Sequence, residues 1–188
     1  PHSPDLSVSI GNLRLNNPVM AASGTFGGDF PAVVDCSRLG AIVLKTVTLQ
    51  PRSGNPPPRI WETSCGILNS IGLENKGLRA FLKGDLPAAR KMGTRIVVSI
   101  SGETVEEYAV LARAIERAGG VDAIELNISC PNVSKGLDFG TDPKLSGSAV
   151  RAAKKATRLP VIAKLTPNVT SIVPVALSVE ENGADAVS

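Results

Sequence analysis

The stretch AIELNISCPN, residues 123–132, decides between the fold classes open to this chain. It begins as a short apolar run, residues 123–128, and passes directly into polar residues that include Cys130. A short and continuously apolar run is typical of a strand buried on both faces, as in a parallel sheet. Pro131 ends such a strand, so the sequence places Cys130 on the loop at its carboxyl end.

The same pattern recurs along the chain and predicts an α/β protein. Five more apolar runs read as strands, at residues 18–22, 41–47, 95–100, 161–165 and 184–187. Helical patterns with recognisable ends lie between the later runs: one capped by Thr104 and Glu107, one opening at Asp142 and running to about Thr157, and one over residues 171–182. Strand and helix alternate, as in a parallel α/β fold.

Polar residues at the strand ends favour a β/α barrel over an open sheet. Five successive runs end in polar or cationic residues, namely Ser23, Lys45 with Thr46, Ser99, Asn127, and Lys164 with Thr166. In a barrel the loops after the strands converge on one catalytic mouth. The Gly-rich turn after the first run is not the GxGxxG of a dinucleotide-binding fold.

Two segments interrupt the alternation. Residues 1–17 contain an alternating pattern that predicts a β-hairpin turning at Gly11 and Asn12. Residues 48–77, called here the lid segment, are long and rich in Pro and Gly, and they contain the only Trp. A connection of that length is more often functional than not, so it predicts an active-site lid after the second strand.

Composition bounds the function. A chain of 188 residues, 43% of them hydrophobic and 20% charged, predicts one globular domain. The net charge of +3 is diffuse and only 3% of residues are aromatic, which argues against a nucleic-acid surface. No apolar run is long enough to cross a bilayer, so we expect no membrane partner and a cytoplasmic protein.

The scarcity of histidine narrows the chemistry. His2 is the only histidine, so Ser-His-Asp triads and Cys-His pairs have no donor within the chain. Cys36, Cys65 and Cys130 form no metal-binding spacing, and no metal site is predicted. A base would have to be Cys, Lys, Asp, Glu or Tyr. Cys130 is favoured because it follows a strand end and a thiol can ionise near neutral pH.

Lys45 and Lys164 each stand on an apolar strand. An unpaired ammonium is costly to bury. Two of them at strand ends predict an anionic or electron-rich ligand between them, in preference to a structural salt bridge.

These residues resemble the class 1 dihydroorotate dehydrogenases along nearly the whole chain. The resemblance rests on NISCPNV at residues 127–133, ASG at 22–24, Lys45-Thr46, the GNP and PR motifs at 54–59, and NSIGL at 69–73. Within class 1, FGTDP at 139–143 and LTPNVT at 165–170 resemble subtype 1B. The fumarate-linked subtype 1A is the near alternative.

The resemblance implies an FMN enzyme that oxidises dihydroorotate to orotate in pyrimidine biosynthesis. Cys130 as thiolate would take the C5 proton while the C6 hydride goes to flavin N5. The residues implied for FMN are Ala22, Ser23, Gly24, Thr25, Lys45, Thr46, Ser99, Asn127 and Lys164. Those implied for the pyrimidine are Lys45, Asn69, Ser70, Ile71, Gly72, Leu73, Asn127 and Asn132.

Membership of subtype 1B would also imply partners. Electrons would pass to NAD⁺ through a second subunit that carries FAD and a 2Fe–2S cluster, and a homodimer of this chain with that subunit would form a heterotetramer. The chain has no cysteine spacing for such a cluster, so the cluster would sit on the other polypeptide.

The strand count departs from a complete barrel. Six strands are predicted, whereas a β/α barrel has eight and about 250 residues. We therefore expect an incomplete barrel, a single FMN-binding domain over residues 1–188, whose unpaired strand edges would leave FMN poorly held.

The residues are also compatible with three other interpretations. A barrel aldolase would use Lys164 as a Schiff base but gives no role to the Cys130 loop. A non-catalytic, truncated barrel module fits the missing strands but not the intact set of strand-end residues. The pyrimidine-reducing domain of dihydropyrimidine dehydrogenase has a similar cysteine loop, but in a much larger chain.

Overall fold

The computed structural model describes residues 4–25, 34–129 and 139–188. Its strands are β1 (Val8–Ile10), β2 (Leu13–Leu15), β3 (Met20–Ala21), β4 (Ala41–Val47), β5 (Ile60–Thr63), β6 (Gly66–Asn69), β7 (Arg95–Ile100), β8 (Ala123–Asn127), β9 (Val161–Lys164) and β10 (Ala186–Val187). Its α-helices are α1 (Gly77–Lys83), α2 (Asp85–Ala89), α3 (Val105–Ala118), α4 (Pro143–Ala156) and α5 (Val173–Glu181).

Six strands form one parallel sheet in chain order, β3-β4-β7-β8-β9-β10, and each pairs with its chain neighbour. Helices α3, α4 and α5 follow β7, β8 and β9 in turn. Apart from the inserted hairpin β5–β6, each strand of this sheet pairs with the strand that follows it in the chain. This is the arrangement of a β/α barrel. The predicted fold class, an incomplete β/α barrel with an N-terminal hairpin, is confirmed.

The sheet is buried on both faces, as the continuous apolar runs predicted. One face packs under the helices in a large core that includes Ile42, Leu111 and Val150. The other face carries a smaller cluster of strand residues covered by Leu13 and Leu15 of the hairpin. These strand residues lie near the amino-terminal ends of their strands, so the hairpin closes that end of the sheet interior. Burying each of the two leucines stabilises the fold by about 1.5–3 kcal/mol.

Helix ends follow the predicted chemistry with small changes. Thr104 Oγ1 accepts a hydrogen bond from Glu107 N at 3.3 Å. Glu107 reaches back to Glu103 N at 2.7 Å, one residue earlier than the reciprocal bond of a capping box. The side chain of Asp142 caps α4, and Gly119, at φ 70°, follows the end of α3.

A short repeat in the sequence has a common structural role. The motifs at residues 119–126 and 182–187 each place an Asp just before a strand, Asp122 before β8 and Asp185 before β10. Asp122 Oδ2 accepts from Ile96 N at 2.8 Å, and Asp185 Oδ2 accepts from Val161 N at 2.7 Å. Each carboxylate therefore satisfies the first residues of the neighbouring strand.

Removing one of these carboxylates should destabilise the barrel. In Asp122→Ala the Ile96 N–H loses a charge-assisted partner, and we expect the free energy of unfolding to fall by about 2 kcal/mol. Urea unfolding of the full-length protein measures this loss. Glu181→Ala, at an exposed position, serves as the control and should change stability by less than about 0.5 kcal/mol. Equal effects of the two changes would contradict the role given to Asp122.

The lid segment differs from the expected long loop. It contains the antiparallel hairpin β5–β6, in which Ile60 pairs with Asn69 and Trp61 pairs with Leu68. All eight residues of the two strands are exposed. The hairpin therefore has no buried face, and its sequence does not show the alternation of apolar and polar residues that would predict a strand. The segment leads into α1 and α2, two short helices that the sequence patterns did not predict.

Candidate active site

The carboxyl ends of the parallel strands surround a cavity of about 590 Å³. Its wall brings together strand-end residues and lid residues that are far apart in the sequence. The lining residues are Ser23, Gly24, Thr25, Lys45, Thr46, Ile60, Ile67, Asn69, Ile71, Gly72, Leu73, Asn127 and Lys164. Most residues predicted to bind a ligand therefore lie around one space.

Three predicted residues within the described parts of the chain lie outside this wall, for different reasons. Ser99 is fully buried and bonds to Thr46 behind it, and Ser70 bonds to Asn55 within the lid. Ala22 precedes the lining residue Ser23 and accepts hydrogen bonds from Thr25. Cys130 and Asn132 lie outside the described residues, so their assignments stay predictions.

Hydroxyl and amide groups form a connected network at the cavity floor. Thr46 Oγ1 lies 2.9 Å from Ser99 Oγ and 3.3 Å from Ser23 Oγ. Asn127 Nδ2 donates to Thr46 Oγ1 at 3.4 Å. The network joins four neighbouring strands and fixes uncharged donors and acceptors before any ligand arrives.

Asn127 also organises the chain that leads toward Cys130. Its Oδ1 accepts from both the N–H and the hydroxyl of Ser129, each at 3.2 Å. Its backbone carbonyl accepts from the Tyr108 hydroxyl at 3.0 Å, and Tyr108 itself is buried against Phe139. Asn127 is therefore held at both its side chain and its backbone.

The expectation that both lysines are buried is wrong. Lys45 is exposed on an otherwise buried strand, and the side chain of Lys164 is 35% exposed. Lys45 shares the inward direction of Ala41 and Val43 on β4, and it lies in the cavity wall at the carboxyl end of that strand. Both ammonium groups remain in contact with solvent because they stand at the open mouth of the cavity. The desolvation cost that a buried lysine would carry is therefore reduced.

Glu125 has a buried carboxyl group beside the cavity and was not among the site residues predicted from the sequence. Its side chain is 6% exposed, and its Oε1 lies 4.0 Å from Lys164 Nζ. Burial raises the pKa of Glu125, while the Lys164 charge, Ser99 and Ser188 act in the opposite direction. The signal was present, since Glu125 stands two residues before Asn127 and so has the same inward direction on its strand.

The lid is fastened to the barrel at its base. Asn75 Nδ2 donates to Thr48 Oγ1 at 2.9 Å and to Leu73 O at 2.8 Å, and Asn75 Oδ1 accepts from Gly77 N at 2.9 Å. Thr48 directly follows β4, so this one side chain ties the end of the lid to the strand that carries Lys45.

The inner part of the lid is held by bonds between its two arms. Asn55 donates to Ser70 Oγ at 2.8 Å, Asn55 N donates to Ile71 O at 3.0 Å, and Arg59 pairs with Glu74. Leu73 has φ 59°, a left-handed conformation that is rare for a leucine. Such strain is concentrated at ligand-binding segments.

A substitution at Gly72 tests this lid geometry. Gly72 has φ 74°, and an added Cβ would lie 2.7 Å from Asn55 N, so Gly72→Ala must displace the lid. If the lid contacts the ligand, we expect the affinity for orotate, the ligand that the sequence resemblance implies, to fall by about tenfold, because small misplacements at a binding site are costly. Isothermal titration of the full-length protein with orotate measures this.

The matched control lies in the same hairpin. A Cβ at Gly66 would meet Thr63 Oγ1 at 3.9 Å, an ordinary contact, so Gly66→Ala should bind orotate like the parent. If Gly72→Ala also binds normally, the lid has no part in the site.

A second cavity, about 450 Å³, lies between β4 and helices α1 and α2. Its wall is largely apolar, with Leu44, Val47, Phe81 and Met92. Thr46 and Asn75 are the uncharged polar side chains that line it, whereas Ser23, Thr25, Thr46, Asn69 and Asn127 line the first cavity, which is therefore the better candidate for a reaction site.

Two features of the described residues concern metal binding and membrane spanning. No group of three His, Cys, Asp or Glu side chains within residues 4–25, 34–129 and 139–188 could hold a metal ion. In the same parts of the chain, no helix has the length and apolar character needed to span a membrane.

Fold and site together define a β/α-barrel protein with a ligand site at the carboxyl ends of its strands. The family model "Dihydroorotate dehydrogenase" matches residues 5–188, so the chain belongs to the dihydroorotate dehydrogenase family. The family resemblance inferred from the sequence motifs is confirmed.

Curated relatives agree with this assignment. The protein from Desulforudis audaxviator is 50% identical over 185 residues, covering 97% of this chain and 60% of the relative. Those from Thermoanaerobacter pseudethanolicus and Geobacter metallireducens are 49% and 50% identical, each covering 98% of this chain and 62% of the relative. All three are named the catalytic subunit of dihydroorotate dehydrogenase B (NAD(+)). The chain thus spans about 60% of the length of these relatives.

Proposed function

We propose that this protein oxidises dihydroorotate to orotate in pyrimidine biosynthesis, with FMN bound in the cavity at the strand ends. One observation carries the proposal: most of the residues implied for flavin and pyrimidine, although scattered from Ser23 to Lys164, line a single cavity. The names of the relatives support the same reaction.

The donor set suits a flavin ring. A flavin presents carbonyl and imide groups along one edge, and these need uncharged hydrogen-bonding partners and a cation. Thr46 and Asn127 would supply the first, with Ser99 hydrogen-bonded to Thr46 from behind, and Lys164 would supply the second. We assign Ala22, Ser23, Gly24 and Thr25 to the same cofactor because they follow β3 at the same mouth. Bound FMN would supply the acceptor for the hydride that leaves dihydroorotate.

The substrate would lie between the strand ends and the lid. Lys45 would attract the carboxylate of orotate, and Asn69, Ser70, Ile71, Gly72, Leu73, Asn127 and Asn132 would complete the pyrimidine site. We propose that residues 48–77 serve as the lid of a single domain over residues 1–188. Their exclusion of water would strengthen each polar contact with the substrate.

Cys130 would act as the base. A thiol near its usual pKa of about 8.5 can accept a carbon-bound proton if a nearby cation or dipole helps it ionise. Ser129 is fixed by Asn127, so the chain enters the Cys130 loop from a defined point at the cavity. The loop would then bring the thiolate to C5 of dihydroorotate.

The electron acceptor is proposed to be NAD⁺, reached through a second subunit with FAD and a 2Fe–2S cluster in a heterotetramer. The name "catalytic subunit" implies that the relatives have a separate partner subunit. A cytoplasmic location belongs to the same proposal.

Acceptor specificity tests the function and the subtype together. The purified full-length protein is assayed with dihydroorotate and, in turn, a dye, fumarate, and NAD⁺ with and without the second subunit. We expect dye reduction by the protein alone and NAD⁺ reduction only with the second subunit. Turnover with fumarate would assign subtype 1A instead, and no turnover with any acceptor would contradict the proposed reaction.

A further inference from the structure

Glu125 occupies an unusual position inside the sheet. In the strand register it stands beside Ser99 of β7 and Ile162 of β9, one layer below the pair formed by Asn127 and Lys164. Its side chain is almost fully buried, and its Oε1 makes no hydrogen bond within the described residues. Lys164 Nζ, 4.0 Å away, is the cation that faces this oxygen.

The Glu125–Lys164 pair does not resemble the structural ion pairs of this protein. Arg95 binds Asp122 at 3.0 Å and Lys154 binds Asp185 at 2.7 Å, and in both cases the carboxylate also accepts a backbone N–H. Glu125 accepts from the Ser188 hydroxyl at 3.3 Å and is also stabilised by the neighbouring Ser99 hydroxyl, but its Oε1 has no hydrogen-bond partner within the described residues. A buried carboxylate left this poorly satisfied lowers stability, so its place calls for another explanation.

Its location supplies one. Lys164 lines the mouth cavity together with Lys45, whereas Glu125 lies beneath Lys164. A negative charge below the floor attracts the ammonium and offsets much of its charge in this partly desolvated place. A ligand in the cavity would then meet one uncompensated cation, Lys45, instead of two.

We propose that Glu125 is a positioning residue, a buried counter-ion that holds Lys164 at the cavity floor and offsets its charge toward the bound ligand. The part of this inference that concerns flavin and orotate rests on the proposed function. The pairing of Glu125 with Lys164 does not, and it can be tested without a cofactor.

The first test measures charge at the site. Glu125→Gln keeps the shape and removes the negative charge in the full-length holoenzyme. The uncompensated Lys164 should favour the anionic reduced flavin and the orotate anion. We expect the flavin midpoint potential to rise and orotate to bind about fivefold tighter. Glu106→Gln, at an exposed position on α3, is the control and should leave both values unchanged. An unchanged or lower potential in Glu125→Gln would overturn the charge-offset role.

The second test uses flavin-free protein and a double-mutant cycle. Glu125→Gln, Lys164→Gln and the double variant are unfolded in urea at neutral pH. Coupled residues give non-additive effects, so the double variant should be more stable than the sum of the single changes predicts. Additive effects would show that the two side chains do not interact. If the cycle shows coupling and the purified protein holds no flavin, the ion pair stands and the proposed function fails.

The pH dependence of the same unfolding gives an independent check. Burial raises the pKa of Glu125 above the ordinary 4.5, so ionisation of this group costs the folded state stability as the pH rises above that value. Glu125→Gln cannot ionise, and should therefore gain stability relative to the parent from pH 4.5 upward. The facing groups that could oppose this are Lys164, Ser99 and Ser188, with Lys45 on the same cavity wall. A parent that gains stability relative to Glu125→Gln over this range would overturn the assignment of Glu125 as a poorly satisfied charge.

Discussion

Cys130→Ser in the full-length protein should retain bound flavin and lose about 10²-fold or more of its turnover with dihydroorotate at neutral pH. A serine hydroxyl has nearly the shape of the thiol but ionises far less readily, so it cannot accept the C5 proton at the same rate. Flavin content should persist because none of the groups assigned to the flavin is changed. Steady-state assays with a dye acceptor, together with the flavin absorbance, measure the two properties separately.

The other cysteines provide controls for this variant. Cys65 is exposed in the turn between β5 and β6, and Cys36 is buried under the helices. Cys65→Ser removes a thiol without touching the cavity wall, and should leave turnover unchanged. The residual activity of Cys130→Ser should rise with pH as its hydroxyl or a water molecule becomes a better base. Normal turnover at neutral pH would remove Cys130 from the mechanism.

Lys45→Ala should weaken both flavin and orotate binding, each by about tenfold or more, since a charge-assisted contact is worth about 1.5–3 kcal/mol. Lys45 stands on the cavity wall between the residues assigned to the two ligands. Its Nζ would be 3.6 Å from a Cβ placed on Gly24, so the ammonium lies against the turn that follows β3. Fluorescence titration with FMN and calorimetric titration with orotate give the two affinities.

The control for this variant is a lysine outside the cavity. Lys91 is exposed just after α2, and Lys91→Ala should change neither affinity. A loss of flavin alone would limit Lys45 to cofactor binding, and normal binding of both ligands would show that its site assignment is wrong.

The sequence predicted the central strands accurately because burial on both faces leaves a clear pattern. β4 and β7 begin and end where their apolar runs do. β3 and β10 are shorter than their runs, and each pairs with one neighbour in the described sheet, so fewer backbone bonds define their ends. Strand-end residues such as Lys45, Asn127 and Lys164 also line one cavity, because parallel strands bring their carboxyl ends to one edge of the sheet.

Three features could not be predicted from the same patterns. The lid hairpin is exposed on both sides, so its residues Ile60, Trp61 and Glu62 have no buried face to mark them as a strand. Lys45 points inward like Ala41 and Val43, but the pattern along one strand does not show that the sheet interior is open to solvent at this end. The spacing of Glu125 from Asn127 indicates its inward direction, but its pairing with Lys164 depends on how β8 and β9 lie side by side, which the sequence pattern does not show.

The most direct test of the account is the visible spectrum of the purified full-length protein before and after anaerobic addition of dihydroorotate. We expect the absorbance bands of oxidised flavin before addition and their bleaching afterwards, which would establish cofactor, substrate and reaction class in one experiment. A colourless protein, or a flavin that dihydroorotate does not reduce, would contradict the proposed reaction.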